Sequence, residues 1–247
     1  MARSALNLVA ILAWTLTLRT LPVKSFLPTN HRWKANLQIS KQVSSTQQFL
    51  FDKIFEEEGA LGKGITVGKI SVALQSRDRS DTSIFGLLES HATDESDANE
   101  DLARMANNVC LDLMRKSEDW VAACSSSKWF STKDAGKAES YYNDLANNEA
   151  VKFEKEYIPE DEDESDGGPT LVVVTLVLEI QGDSTNFEGA GYSISKTKEV
   201  LASIASDCLV DDGYCVNAVE VFWTPSDRNE VLSKNDVVLD FPELIDV

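Results

Sequence analysis

Few residues in this chain are suited to chemistry. General acid–base catalysis at neutral pH is easiest with histidine, and the sequence offers two, His31 and His91. His91 lies in "ESHATDES", a polar run expected to be an exposed loop, so any Ser-His-Asp or Cys-His unit would have to recruit it from there. The four cysteines (Cys110, Cys124, Cys208 and Cys215) show no CxxC spacing, and a zinc site lacks ligands. Cys208 and Cys215 flank Val210-Asp211-Asp212-Gly213-Tyr214. They are either two small buried apolar side chains or a pair that a disulfide could bridge as a redox switch. "GALGKG", Gly59 to Gly64, lacks the Lys-Ser/Thr ending of a phosphate loop. What remains is carboxylates. Glu179 and Glu220 each interrupt an apolar run, and such a pair could do acid–base work if a closed pocket raised at least one pKa.

The acidic run "EDEDESDGGP", Glu160 to Pro169, places six acids in seven positions. Calcium loops of the EF-hand type need Gly at the sixth position and Glu at the twelfth. Starting at Glu162 puts Gly167 correctly but Val173 last, and starting at Asp161 puts Asp166 where Gly belongs. Self-repulsion and the absence of apolar side chains make it a solvated loop. No cofactor or metal is expected.

The elements that would position such groups follow from hydrophobic periodicity. "GKISVALQ", Gly68 to Gln75, alternates as a half-buried strand, with Ile70, Val72 and Leu74 on one side. Leu102, Met105, Ala106, Val109, Cys110, Leu113 and Met114 recur at helical spacing, and Asp97 with Glu100 can cap that helix, expected over 97–116. "SEDWVAACSSSKWF" is expected to be a turn anchored by Trp120 and Trp129. A second helix, over about 133–156, carries Ala138, Tyr141, Tyr142, Leu145 and Phe153. "TLVVVTLVLEI", Thr170 to Ile180, is the strongest strand signal, since β-branched and nearly continuous apolar runs suit a strand covered on both faces. A helix follows over 195–209, then "AVEVFWTP" supplies a strand over 216–223. Pro225 stops this strand because it cannot continue a ladder. Phe241 and Leu244 in the tail are expected to pack back.

These elements imply an α+β domain: a sheet of about three strands with helices packed on one face, in the order strand, helix, helix, strand, helix, strand. The unit from Thr170 to Trp223 can cross over right-handed and make the last two strands parallel, with antiparallel pairing the alternative. Alternation puts Val219, Val221 and Trp223 under the helices and turns Ala218, Glu220 and Phe222 away from them. The same register aligns Ser71, Ala73 and Gln75 with Val173, Thr175 and Val177. Val173, Thr175, Val177, Glu220 and Phe222 would then form a patch too apolar for a solvated sheet face, suited to a protein partner or a second copy. The alternative is that the acidic loop or the C-terminal tail covers it.

Charge and the N-terminus address location. The formal net charge is −18, yet residues 1–51 hold no acid and six cations. From Asp52 onward, 17 of the 23 cations therefore face 41 acids, a net −24. Such a surface repels nucleic acid and anionic lipid. "ALNLVAILAWTLTL", Ala5 to Leu18, is too short to span a bilayer and fits a signal-peptide core, with cleavage after Ser25. "FLPTNHRWKANLQISKQVSSTQQF" then has cations and hydroxyls but no acid, the composition of a transit peptide. The pair resembles the bipartite leader of plastid proteins in diatoms and related algae, with plain secretion as the alternative. The expected divisions are a signal peptide over 1–25, a transit-like segment over 26–50, a linker over 51–66 and a single domain over 67–247. No transmembrane segment is expected in the mature chain.

"TLVVVTLVLEIQG" followed by "NAVEVFWTPSDRNEVLSKNDVVLDFPEL" resembles the C-terminal half of the plastid and cyanobacterial domain-of-unknown-function 1517 family. "LMRKSEDWVAACSSS" and "AVKFEKEYI" look like its middle segments, so the similarity spans about Gly68 to Leu244. The resemblance implies a chloroplast protein, in the stroma or peripheral on the thylakoid membrane, with plant relatives linked to acclimation to changing light. It brings no catalytic residue. The expectation is a non-catalytic accessory or regulatory protein working through protein contacts, with a thylakoid complex or self-association as partner. A small-molecule-binding domain or carboxylate enzyme, and a thiol-switched regulator, are the alternatives.

Overall fold

The computed structural model describes residues 58–92, 99–153, 155, 157 and 168–247. The leader expected over 1–50 and the acidic run up to Gly167 lie outside the described residues. A short hairpin, β1 (Glu58–Gly59) and β2 (Gly62–Lys63), leads into β3 (Ile65–Ser76), α1 (Ile84–Ala92), α2 (Asn99–Arg115) and β4 (Trp120–Phe130). Then follow α3 (Ala135–Phe153), β5 (Thr170–Gln181), α4 (Ile194–Asp207), β6 (Val216–Thr224), α5 (Lys234–Asp240) and β7 (Ile245–Asp246). Leu61 and Ile65, expected in a linker, are buried in the core.

The α+β class holds, but the sheet is larger than expected. Five strands pair in the order β6-β5-β3-β4-β7, antiparallel throughout, so the last two long strands are antiparallel rather than parallel. The two strands not expected are the short β7 and the long β4, the latter the segment expected to be a turn. Three consecutive serines, Ser125 to Ser127, erase the apolar alternation that marks a strand. What makes it one is tertiary: β3 needs a second neighbour for its backbone groups, and β4 pairs with it from Ile65↔Phe130 to Leu74↔Trp120.

The helices lie on both faces of the sheet, not one. On the first face, Ile70, Val72, Val174, Leu176, Val221 and Trp223 are buried. Gly68 shares that side, and a Cβ there would strike the Phe187 ring. The loop carrying Phe187 is tied to α4 by Asn186 N donating to Ser203 Oγ at 2.9 Å. Helix α4 in turn packs on α2, where Asn107 Nδ2 donates to the Ala205 carbonyl at 2.8 Å. Helix α3 lies across the opposite face, over β3, β4, β5 and β6. Its Tyr141 meets Phe130 with ring centroids 5.8 Å apart at one end of that face. At the other end Tyr157, Leu232, Val237 and Phe241 close over Ala73, Leu171 and Val173 as a second buried cluster.

Candidate functional site

Each residue expected to form the partner surface falls where the alternation put it. Thr175 pairs with Phe222, Val177 with Glu220, Ser71 with Thr175 and Ala73 with Val173. Ser71 Oγ and Thr175 Oγ1 share a hydrogen bond at 2.8 Å, satisfying two hydroxyls inside the face. The exposure differs from expectation. Val173, Thr175, Val177, Glu220 and Phe222 are all at most 2 % exposed, covered by α3 and the C-terminal segment. They cannot meet a partner in this fold. The apolar character that suggested a partner reflects intramolecular cover, a role the tail shares with α3.

Beneath α3 lies an ion cluster that sequence reasoning missed. Lys69 Nζ donates to Glu149 Oε1 at 2.8 Å and Glu243 Oε1 at 2.9 Å, and Lys152 Nζ reaches the same two oxygens at 3.2 and 2.8 Å. Burial works to lower the Lys69 pKa, but the two carboxylates override it and hold the ammonium above its ordinary value. Burial likewise raises Glu243, and the bonds from Lys152 and Lys69 outweigh it, bringing its pKa down to about 2. Two cations and two anions thus form a balanced clip between β3, α3 and the tail. The polar alternation of β3 announced Lys69 as outward. No local pattern announced its partners, 80 and 174 residues away.

The suggested acid pair is partly assembled. Glu179 pairs with Ala218 and Glu220 with Val177, so the two carboxylates are diagonal neighbours on the covered face. Burial raises the Glu179 pKa, against a hydrogen bond from Asn217 Nδ2 at 3.0 Å.

His91 is not in a loop. It sits on α1, its Nε2 2.8 Å from Asp112 Oδ2 on α2. Arg115 donates to the same carboxylate at 2.7 Å. The arrangement is an interhelical clip, and the Asp112 pKa falls because these two bonds outweigh the burial that would raise it. A comparable interlock follows the Trp-Thr-Pro stop: Arg228 donates to Glu89 and Asp81, while the buried Arg79 donates to the Arg228 carbonyl.

All four cysteines are free and buried. Cys208, at the C-cap of α4, has its thiol pushed by burial up to about 12, and burial also raises Cys215. Cys208 lies beside Cys110 of α2, whose thiol burial pushes well up. Burial of this kind suits packing and disfavours the reactive thiolate.

The two outermost long strands differ. Among the described residues strand β6 has a neighbour on one side only, yet eight of its nine residues are buried. Strand β4 is flanked by β7 only at Ala122 and Ala123. Beyond them Ser126, Ser127, Lys128 and Trp129 are exposed in sequence. Trp129 is 47 % exposed and its Nε1 donates to the Lys63 carbonyl at 2.8 Å. Beside this edge runs the loop bearing Tyr192, 80 % exposed. Gly191, at φ +93°, lets that loop touch the Ala123 carbonyl, where any Cβ would clash. A recess of about 260 Å³ lies between, lined by Lys69, Cys124, Ser126, Tyr192, Glu243 and Ile245.

The sequence profile described as "Protein of unknown function (DUF1517)" matches residues 64–247, the whole sheet and every helix described above. The chain belongs to this family. A curated relative, "Protein FLAP1 homolog A" of the cyanobacterium Synechocystis sp., is 27 % identical over 154 residues. That match covers 54 % of this chain and 43 % of the relative, so the two share less than half the relative's length. No solved structure matches. No helix among the described residues is long and apolar enough to cross a membrane.

Proposed function

We propose that this family member is a non-catalytic plastid protein that acts through protein contacts, as an accessory or regulatory factor at photosynthetic membranes and in acclimation to changing light. One observation carries the contact-based reading. Both faces of the sheet are closed by the chain's own helices and tail, while among the described residues the β4 edge beyond β7 has no strand partner and lies beside exposed Trp129, Tyr192 and Ile245. An open edge next to exposed aromatic side chains is a recognition surface. Family membership and the cyanobacterial relative support the photosynthetic setting. The acid excess argues against nucleic acid as the partner.

The test is native separation of gently solubilised plastids with detection of the chain. This reading expects it in an assembly larger than the monomer. Migration only as a monomer under conditions that preserve other plastid complexes would contradict it.

A further inference from the structure

We infer that the open edge of β4 binds an extended, acidic peptide segment of a partner protein, which adds a strand to the sheet in line with β7. This deepens the contact-based reading above and rests on it.

The backbone supplies the first argument. Val247 N donates to the Val121 carbonyl at 3.2 Å, and β7 pairs at Ala122 and Ala123, so the odd-numbered residues of β4 turn their backbone groups away from β3. Ser125, Ser127 and Trp129 continue that parity. They present N–H and C=O groups along an exposed edge, which is what an added strand recognises. The recess lined by Cys124, Ser126, Tyr192 and Ile245 adjoins the same stretch and can take a side chain of that strand.

Charge supplies the second. From Val121 to Lys133 the sequence has no acid and two lysines, in a chain whose remainder is strongly acidic. Lys128 lies 5.1 Å from the Phe130 ring centroid and 5.3 Å from that of Tyr141. Neither Lys128 nor Lys133 pairs with a carboxylate among the described residues, although from Asp52 onward 41 acids face 17 cations. The neighbouring acids Asp134 and Glu243 are already paired, with Lys137 and with Lys69 and Lys152, so over a Debye length of about 8 Å these two lysines favour a carboxylate on an added strand. They also disfavour a second copy, because edge-to-edge pairing would bring one Lys128 close to the other.

The test uses the full chain and synthetic peptides of about eight residues that alternate valine with glutamate or valine with lysine. Amide resonances are followed during titration. The acidic peptide should shift Ser125, Ser127 and Trp129 and bind at least about tenfold tighter than the lysine peptide, with the difference shrinking as salt rises. Ser127→Pro removes an outward N–H without touching the β3 ladder and should weaken binding about tenfold or more. Lys128→Glu should reverse the peptide preference, and unchanged melting of both variants confirms their fold. Equal binding of the two peptides, shifts confined to other regions, or an unaffected Ser127→Pro would overturn the inference. If that happens while native separation still finds an assembly, the edge assignment falls and the contact-based reading stands. If native separation finds only monomer, the contact-based reading falls.

Discussion

Lys69 on β3 and Glu149 on α3 meet at 2.8 Å beneath the helix, with the Glu149 side chain only 3 % exposed. Two ions taken out of water this completely hold together only because each satisfies the other. The bond fixes which face of the sheet α3 covers.

Lys69→Met would leave the Glu149 carboxylate buried with Lys152 as its remaining cation, at 3.2 Å. A loss of about 2–4 kcal/mol is expected, somewhat under the usual cost of breaking a buried pair because Lys152 shares the charge. Replacing both, Lys69→Met with Glu149→Leu, should recover most of it, since an apolar pair of similar volume carries no desolvation penalty. Denaturant midpoints at constant slope measure both.

Phe222→Asp tests the covered face. On an open surface the substitution would leave the fold intact. With Phe222 at 2 % exposure under α3, it buries an unpartnered charge and is expected to cost about 4 kcal/mol or more, enough to unfold a marginal domain. Circular dichroism of the variant decides, and native-like melting would contradict the closed face.

Acid stability follows from Glu243. Its folded pKa of about 2 lies below its ordinary 4.5. The group therefore stabilises the fold fully above pH 4.5, and that contribution disappears as pH falls toward 2. With the side chain 32 % exposed, solvent screening reduces the contribution to about 1–2 kcal/mol. Asp112, also lowered, acts with the same sign. Glu179, raised by burial, acts oppositely and weakens the fold as pH rises through its folded value. Glu243→Gln should lose the stated amount at neutral pH and flatten the acid limb of the stability curve.

Thiol chemistry separates packing from switching. With Cys110 and Cys208 fully buried and Cys215 nearly so, these three thiols should resist an aromatic disulfide reagent at pH 8 in the native chain, while Cys124, 7 % exposed and lining the recess beside β4, is the one the reagent can reach. All four thiols should react once the chain is unfolded without reductant. Only two reacting after unfolding would instead establish a bridge, such as one between Cys208 and Cys215.

The sequence made some of this legible. Strands β3, β5 and β6 and the faces of their residues were readable, β3 and β6 from alternation and β5 from its β-branched apolar run, but the antiparallel register that pairs Ser71 with Thr175 and Thr175 with Phe222 was not. The amphipathic stripes of α2 and α4 were equally plain. Strand β4 was hidden because its serines remove the period-two signal. Without β4, α3 had no strand before it and no reason to cross to the second face. Periodicity shows that a helix has a buried side, but not which sheet face receives it. That choice rests on Lys69 finding Glu149 and on Phe130 meeting Tyr141, pairings between distant residues with no local signature. His91 was misplaced because α1, with Ile84, Phe85 and Leu88 buried, follows a polar turn and precedes an acidic run that masks its end.

The central claim is that the chain works through its open β4 edge and not through the sheet face beneath α3. Photo-crosslinking in intact plastids tests it, with a benzophenone side chain placed at Ser127 or, as a control, at Val238, which is 70 % exposed on α5. The account predicts a discrete adduct from position 127 and none from 238. Adducts from 238 alone, or none from 127 while the chain still migrates in a larger assembly, would contradict it.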